Sequence, residues 1–315
     1  MSETTTEFKR LPLTPDGKLI KNAFKILSPR NLVIVKYPKS GGTLAMCNVP
    51  KILIADSERG TDYFSPDNVA RLIDTEVADQ FTETTKYGWI PQTIFDLVDE
   101  LSTANKMDEY SVLYNKFENE RDLKVKEKMY NELIEKINKM PFPIVAIDTI
   151  TSITDISNQA ALHEYNLNVK DSSKKADIKR VDEYGGVQYI RRKFSNIKRF
   201  IEDNAAPFIQ YHGHVGFKKE TLKKREQDMN ALDIALEGLQ SYSFTAKADA
   251  VCTFFRDKDG CWMDFAKKEE TDLGSRPTHL SNKKIKIAEI LKEGELYPKT
   301  YWNLVYPEIE AFKTK

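Results

Sequence analysis

The chain has little of what most quickly classifies a protein. Its 315 residues include three cysteines, Cys47, Cys252 and Cys261, widely spaced and without a CxxC pair. That argues against a disulfide framework and a structural zinc site, and for a reducing interior. No apolar run approaches the length needed to span a bilayer, and the N-terminal MSETTTEFKRLPLTPDGK holds no apolar leader segment. The expectation is a soluble, cytoplasmic protein with no membrane contact. Net charge is missing too: Lys+Arg and Asp+Glu are both 48, so no global field points to nucleic acid or lipid. Any such contact must come from local patches.

What is present is a core. Hydrophobic residues make up 40% of the chain and charged residues 30%, enough to bury an interior and keep a solvated surface. Four short apolar runs, 32–35, 52–55, 144–147 and 207–211, read as strands buried on both faces of a parallel sheet. Between them lie helical patterns: a short helix near Ile20–Leu27, one over Gln92–Leu101 started by Pro91, a charged helix or helical hairpin over 104–139, and an amphipathic helix over Val187–Glu202. The alternation predicts an α/β fold, a mostly parallel sheet with helices on both sides. After Ala250 the chain reads as β-rich, with VCTFFRDKDG and CWMDFA forming a hairpin. The expected organisation is an arm over 1–28, a core over 29–250 with 104–139 inserted, and an antiparallel extension over 251–315.

The organising stretch is NLVIVKYPKSGGTLAMCNVPKILIADSERG, Asn31 to Gly60. It has the layout of a phosphate-binding loop: strand, turn, brief helix over Leu44–Asn48, second strand. Such a loop surrounds phosphates with backbone N–H groups and a helix N-terminus, uses glycine for close approach, and neutralises charge with lysine. Gly41 and Thr43 stand where the pattern GxxxxGK[ST] needs glycine and hydroxyl. Lys36 replaces the first glycine, and Gly42 replaces the lysine. On the motif alone the match fails. Two acids restore weight to it. Asp148 ends the apolar run 144–147 as a magnesium-coordinating acid would, though Asp also suits a helix N-cap. Glu58 follows the strand after the loop, placed to orient and deprotonate a water. His212 and His214 end a further strand on the same rim, where such sheets bind ligands. As a metal site that pair lacks a nearby third ligand.

The order PKSGGT, ILIADSERG, IVAIDTITSI, FIQYHGHV and ADAVCTFF followed by GSR, with the ending YWNLVYPEIE, resembles the phage-encoded RecA-like AAA-type ATPases of the single-strand annealing and recombination group. The likeness covers about residues 20–310. It implies a RecA-like P-loop NTPase core that binds ATP and Mg2+ and assembles as a homo-oligomer on single-stranded DNA in the host cytoplasm. It places Pro38, Lys39, Ser40, Gly41, Gly42 and Thr43 around the nucleotide, and Thr43 and Asp148 at the metal. It makes Glu58 the general base, His212 or His214 the sensor, and Arg276 a possible finger toward a neighbour's nucleotide. The departure is Gly42. Lys39, three residues upstream, or a neighbouring subunit is then the expected source of the cation. The run Lys218, Lys219, Lys223, Lys224, Arg225 reads either as a DNA-contacting track or, with Glu220, Glu226 and Asp228 interleaved, as a solvated helix face. A catalytically inactive, structural or DNA-binding subunit is the alternative.

Overall fold

Short runs dominated by Val, Ile, Leu and Ala cannot bury both faces except inside a sheet covered by helices. The computed structural model, which describes residues 24–58, 60–72, 83–151, 154, 161, 165–166, 187–221, 228–234, 244–266 and 273–313, has that arrangement. Its strands are β1 (Asn31–Lys36), β2 (Ile52–Asp56), β3 (Val69–Arg71), β4 (Ile144–Asp148), β5 (Phe208–Thr221), β6 (Asp228–Ile234), β7 (Ala250–Asp257), β8 (Gly260–Asp264), β9 (Gly274–Ser275) and β10 (Lys284–Ala288). The helices are α1 (Glu83–Asn105), α2 (Met107–Asn119), α3 (Leu123–Lys139) and α4 (Val187–Asn204). The sheet order is β10-β8-β7-β1-β5-β4-β2-β3, with β6 paired to β5 and β9 to β7. From β7 to β3 the neighbours run parallel. β8 and β10 continue the same sheet antiparallel at the β7 edge.

Alternation along the strands divides the interior into two layers. Leu32, Ile34, Ile52, Ile54, Ile144, Ala146 and Phe208 face one side, packing with Tyr110, Phe117, Leu133 and Ile137 of α2 and α3. Val33, Val35, Leu53, Ala55, Val145, Ile147 and Ile209 face the other, against Ile94, Val98 and Leu101 of α1 and Phe194, Ile197 and Ile201 of α4. The charged stretch 104–139 is therefore a helical hairpin with one apolar face. Lys106, at φ 53°, breaks α1 from α2, and Asp122 caps α3 by accepting from the N–H groups of Lys124 and Val125.

Several elements differ from expectation. Residues 24–27 are not helical. The Glu308 carboxylate accepts from the Leu27 and Ser28 N–H groups, tying this chain entry to the tail; residues 20–23 lie outside the described residues. α1 begins at Glu83 rather than after Pro91, which sits within its backbone. β5 runs on past the rim, and its segment 215–221 pairs antiparallel with β6, from Val215↔Ile234 to Thr221↔Asp228. Lys218 and Lys219 therefore belong to a β-ribbon, not a helix face: pairing overrides the local charge pattern. Lys223, Lys224 and Arg225 lie outside the described residues.

The tail ties itself to the loop region. Trp302 is buried and its indole N–H donates to the Ala45 carbonyl at 2.9 Å. The Tyr297 hydroxyl donates to the Phe64 carbonyl at 2.7 Å. Trp302→Phe keeps most of the apolar burial but strands the Ala45 carbonyl, so urea unfolding should show a loss of about 1–3 kcal/mol. Trp302→Ala adds a cavity and should cost about 3–5 kcal/mol. Two variants indistinguishable from wild type would contradict this anchoring.

Candidate functional site

The parallel strands end along one rim, and their register sets the depth of each side chain there. Asp56 lies beside Asp148, Asp148 beside His212, and Lys36 beside His214. Beyond Lys36 the chain turns through Tyr37–Thr43, with the Ser40 N–H donating to the Tyr37 carbonyl at 3.2 Å. Gly41 has φ 89°, a conformation that L side chains rarely adopt. The expected helix after the loop is a single 3₁₀ turn, Leu44–Met46. Asn48 and Lys51, both at positive φ, turn the chain straight back into β2 around Pro50. So short a turn aligns few peptide dipoles, and charge neutralisation in the loop falls to side chains.

The charged centre beneath the loop has three members. Lys36 Nζ donates to Asp148 Oδ1 at 2.5 Å and to Thr43 Oγ1 at 3.3 Å, and Thr43 Oγ1 donates to Asp148 Oδ2 at 2.6 Å. The Lys36 and Asp148 side chains are each 6% exposed. Burial alone would raise the Asp148 pKa, but the Lys36 ammonium beside it, with hydrogen bonds from Lys36 and Thr43, holds it below the ordinary carboxylate value. Lys39 is exposed. Lys36 Nζ instead lies 3.8 Å from where a Cβ on Gly42 would sit, although Lys36 reads in the sequence only as a misfit for a glycine.

Asp56 and Glu58 take different roles. Asp56 is buried and accepts from the N–H groups of Glu58, Gly60 and Thr61, from the Thr61 hydroxyl and from Arg71. It shapes the loop that carries Glu58. Ser57 pins that loop to β4: its N–H donates to the Asp148 carbonyl at 2.9 Å, and its hydroxyl accepts the Thr149 N–H at 3.0 Å. Glu58 Oε1 accepts the Thr149 hydroxyl at 2.6 Å, and Oε2 lies 3.4 Å from His214 Nε2. Glu58, Asp148, His214 and the loop residues 36–44 line one cavity of about 570 Å³, together with Tyr63, Phe64 and Arg256.

His212 and Arg276 lie elsewhere. His212 is buried below the rim, beside Asp148, with Nε2 3.1 Å from Gln210 Oε1. It does not line the cavity; of the two histidines, His214 does. Although both point to one face of β5, two residues of strand separate wall from interior. Arg276 donates to Asp249 Oδ1 at 3.5 Å and to the Ala246 carbonyl. Asp249 in turn accepts the N–H groups of Arg30 and Asn31, at the start of β1, so Arg276 stands at the opposite end of the sheet. Arg256, absent from the sequence reading, lines the cavity from the C-terminal end of β7.

The donor set suits a hard cation and phosphate better than a soft metal. Thr43 and Asp148 offer adjacent oxygens of the kind Mg2+ takes alongside substrate phosphates. Among the described residues no group of three or more His, Cys, Asp or Glu could hold a metal by itself. Ser40 Oγ and His214 Nδ1, on two residues that line the cavity, are buried without a hydrogen-bond partner.

Fold and site together define an α/β protein with a phosphate-loop-like turn at the C-terminal edge of a mostly parallel sheet. No family model matches the chain, and no curated protein matches it. Among solved structures it is similar to the RadB recombinase, at 10% sequence identity over 76% of this chain and 81% of that one, with a TM-score of 0.24. The class assignment rests on this chain's own strand order. No helix among the described residues is long and apolar enough to cross a membrane.

His212 gives the site a pH signature. Burial, then repulsion from Lys36, lowers its pKa from 6.5 to about 3, against a smaller opposing pull from Asp148. The folded state keeps it neutral while the unfolded chain protonates it, so stability is full above pH 6.5 and falls as pH drops toward 3. At about pH 5 its share of the loss is about 2 kcal/mol. His212→Gln should flatten that part of the stability profile measured by denaturant unfolding between about pH 7 and 5. An unchanged slope would contradict the burial of a neutral imidazole.

Proposed function

We propose that this chain is a RecA-like P-loop protein that binds ATP with Mg2+ in the rim cavity and acts on single-stranded DNA, in recombination or annealing, as a homo-oligomer. The observation that carries the reading is the order β7-β1-β5-β4-β2. The loop strand and the Asp148 strand are separated by one strand, yet the register brings Lys36, Thr43, Asp148 and Glu58 to one cavity. A chance turn of composition PKSGGT has no reason to meet an acid from each of two other strands.

Each residue then has a task. The loop over Pro38–Thr43 lines the cavity, and its backbone N–H groups are the donors it would offer to phosphate. Thr43 and Asp148 would hold Mg2+, which when bound neutralises charge on the phosphate oxygens. Glu58 orients a water and accepts its proton; the Thr149 hydroxyl fixes one carboxylate oxygen and leaves the other toward His214. His214 sits where β5 leaves the parallel sheet for its ribbon with β6. That continuity makes His214, rather than His212, the candidate sensor between nucleotide and DNA. The core and the C-terminal extension are proposed to act as one nucleotide-binding unit, since their strands share a sheet, and the inserted helical hairpin packs on one face of it. The phage grouping and the finger role of Arg276 rest on sequence motifs alone.

A second reading has its own support. Gly42 and the one-turn helix after the loop are what a nucleotide-free scaffold would tolerate. Isothermal titration with Mg·ATP separates the two. Saturable, Mg2+-dependent binding, with hydrolysis lowered roughly 10²–10⁴-fold in Glu58→Gln while binding persists, supports the enzyme. Absence of binding at millimolar ATP supports the scaffold. For DNA, the single-strand binding constant should fall as salt rises; a constant indifferent to salt would contradict phosphate contacts.

A further inference from the structure

β1 is buried along its apolar residues and ends in a lysine that is buried as well. The Lys36 stem runs across Gly42. A Cβ on Gly42 would meet Lys36 Cδ at 2.9 Å and Nζ at 3.8 Å, the first closer than real Cβ contacts come. Gly42 is itself buried, and Phe254 Cδ1, 3.8 Å from that point, closes the other side. A side chain at 42 and the Lys36 stem therefore compete for one space. The position where the motif wants lysine is a glycine with the stem of another lysine lying over it.

We propose that Lys36 is the phosphate-neutralising lysine of this loop, delivered from the end of β1 instead of from the loop itself. The inference rests on the nucleotide reading and deepens it: the site keeps the charge that a triphosphate needs, in a different place in the sequence. Among the cations lining the cavity, Lys39 and Arg256 are exposed, whereas Lys36 is buried beside the hydroxyl and carboxylate that would hold the metal. Thr43 and Asp148 would hold a divalent cation, whose charge there would repel the Lys36 ammonium from that carboxylate. The four-carbon stem lets the ammonium swing toward the loop without backbone movement. Lys36 thus neutralises Asp148 in one arrangement and phosphate in the other.

The test is a mutant cycle read by isothermal titration with Mg·ATP and, for comparison, Mg·AMP, with circular dichroism confirming the fold of each variant. Lys36→Met should weaken Mg·ATP binding roughly 10–100-fold, the loss expected for one hydrogen bond to a charged group, and Mg·AMP binding much less. Gly42→Ala, which pushes on the Lys36 stem, should weaken Mg·ATP binding, and Lys36→Met/Gly42→Ala should bind no worse than Lys36→Met alone. Gly42→Lys should not tighten binding beyond wild type, whereas Lys36→Ala/Gly42→Lys should recover most of what Lys36→Ala loses. Wild-type-like binding by Lys36→Met, or tighter binding by Gly42→Lys, overturns the assignment of Lys36 and leaves the nucleotide reading standing. Absence of wild-type binding overturns both. If Lys36→Met does not fold, Gly42→Ala decides: weakened binding supports the assignment, unchanged binding overturns it.

Discussion

An ammonium and a carboxylate buried against each other, Lys36 on Asp148, form the contact on which the rim of this protein depends. Two charges removed from water lose several kcal/mol of solvation each, roughly, and their attraction repays that only with good geometry and further hydrogen bonds. The structure supplies both. Thr43 donates to the second Asp148 oxygen, and Ser57 reads the Asp148 and Thr149 backbone from the neighbouring strand. A pair of this kind adds little net stability. The apolar layers on the two sides of the sheet do that work, while the pair fixes how loop, β1 and β4 meet.

The order of strands explains why three separate segments can share one cavity. β5 lies between β1 and β4, and the loop that follows β1 reaches across to Asp148 through Thr43. Asp56 has a different function from its neighbour in register, Asp148. Its carboxylate is saturated by the backbone of its own loop and by Arg71, so it shapes the Glu58 segment and is spent as a ligand. Two adjacent buried aspartates thus differ in chemistry because one faces its own loop and the other faces Lys36.

Much of this was legible in the sequence. β1, β2, β4 and the start of β5 announce themselves as short apolar runs, and the acids that end β4 and follow β2 both line the rim cavity. β3 carries no such run: Val69–Arg71 is held by pairing with β2. The charged end of β5 looks helical or unstructured until β6 pairs with it. The motif rule counts positions along the loop and so takes no account of Lys36. Lys36 reaches Thr43 through space, from a strand end seven residues earlier. The same limit applies to depth: His212 and His214 share a face in the sequence pattern, and only the sheet shows that one is interior and the other lines the cavity.

The most direct measurement is an experimental structure determined with Mg2+ and a non-hydrolysable ATP analogue. The account predicts the triphosphate in the rim cavity, Mg2+ on Thr43 and Asp148, and Lys36 Nζ moved from Asp148 to within about 3 Å of a β- or γ-phosphate oxygen. A nucleotide bound elsewhere, or one bound here with Lys36 still on Asp148 and no cation at its phosphates, would contradict it.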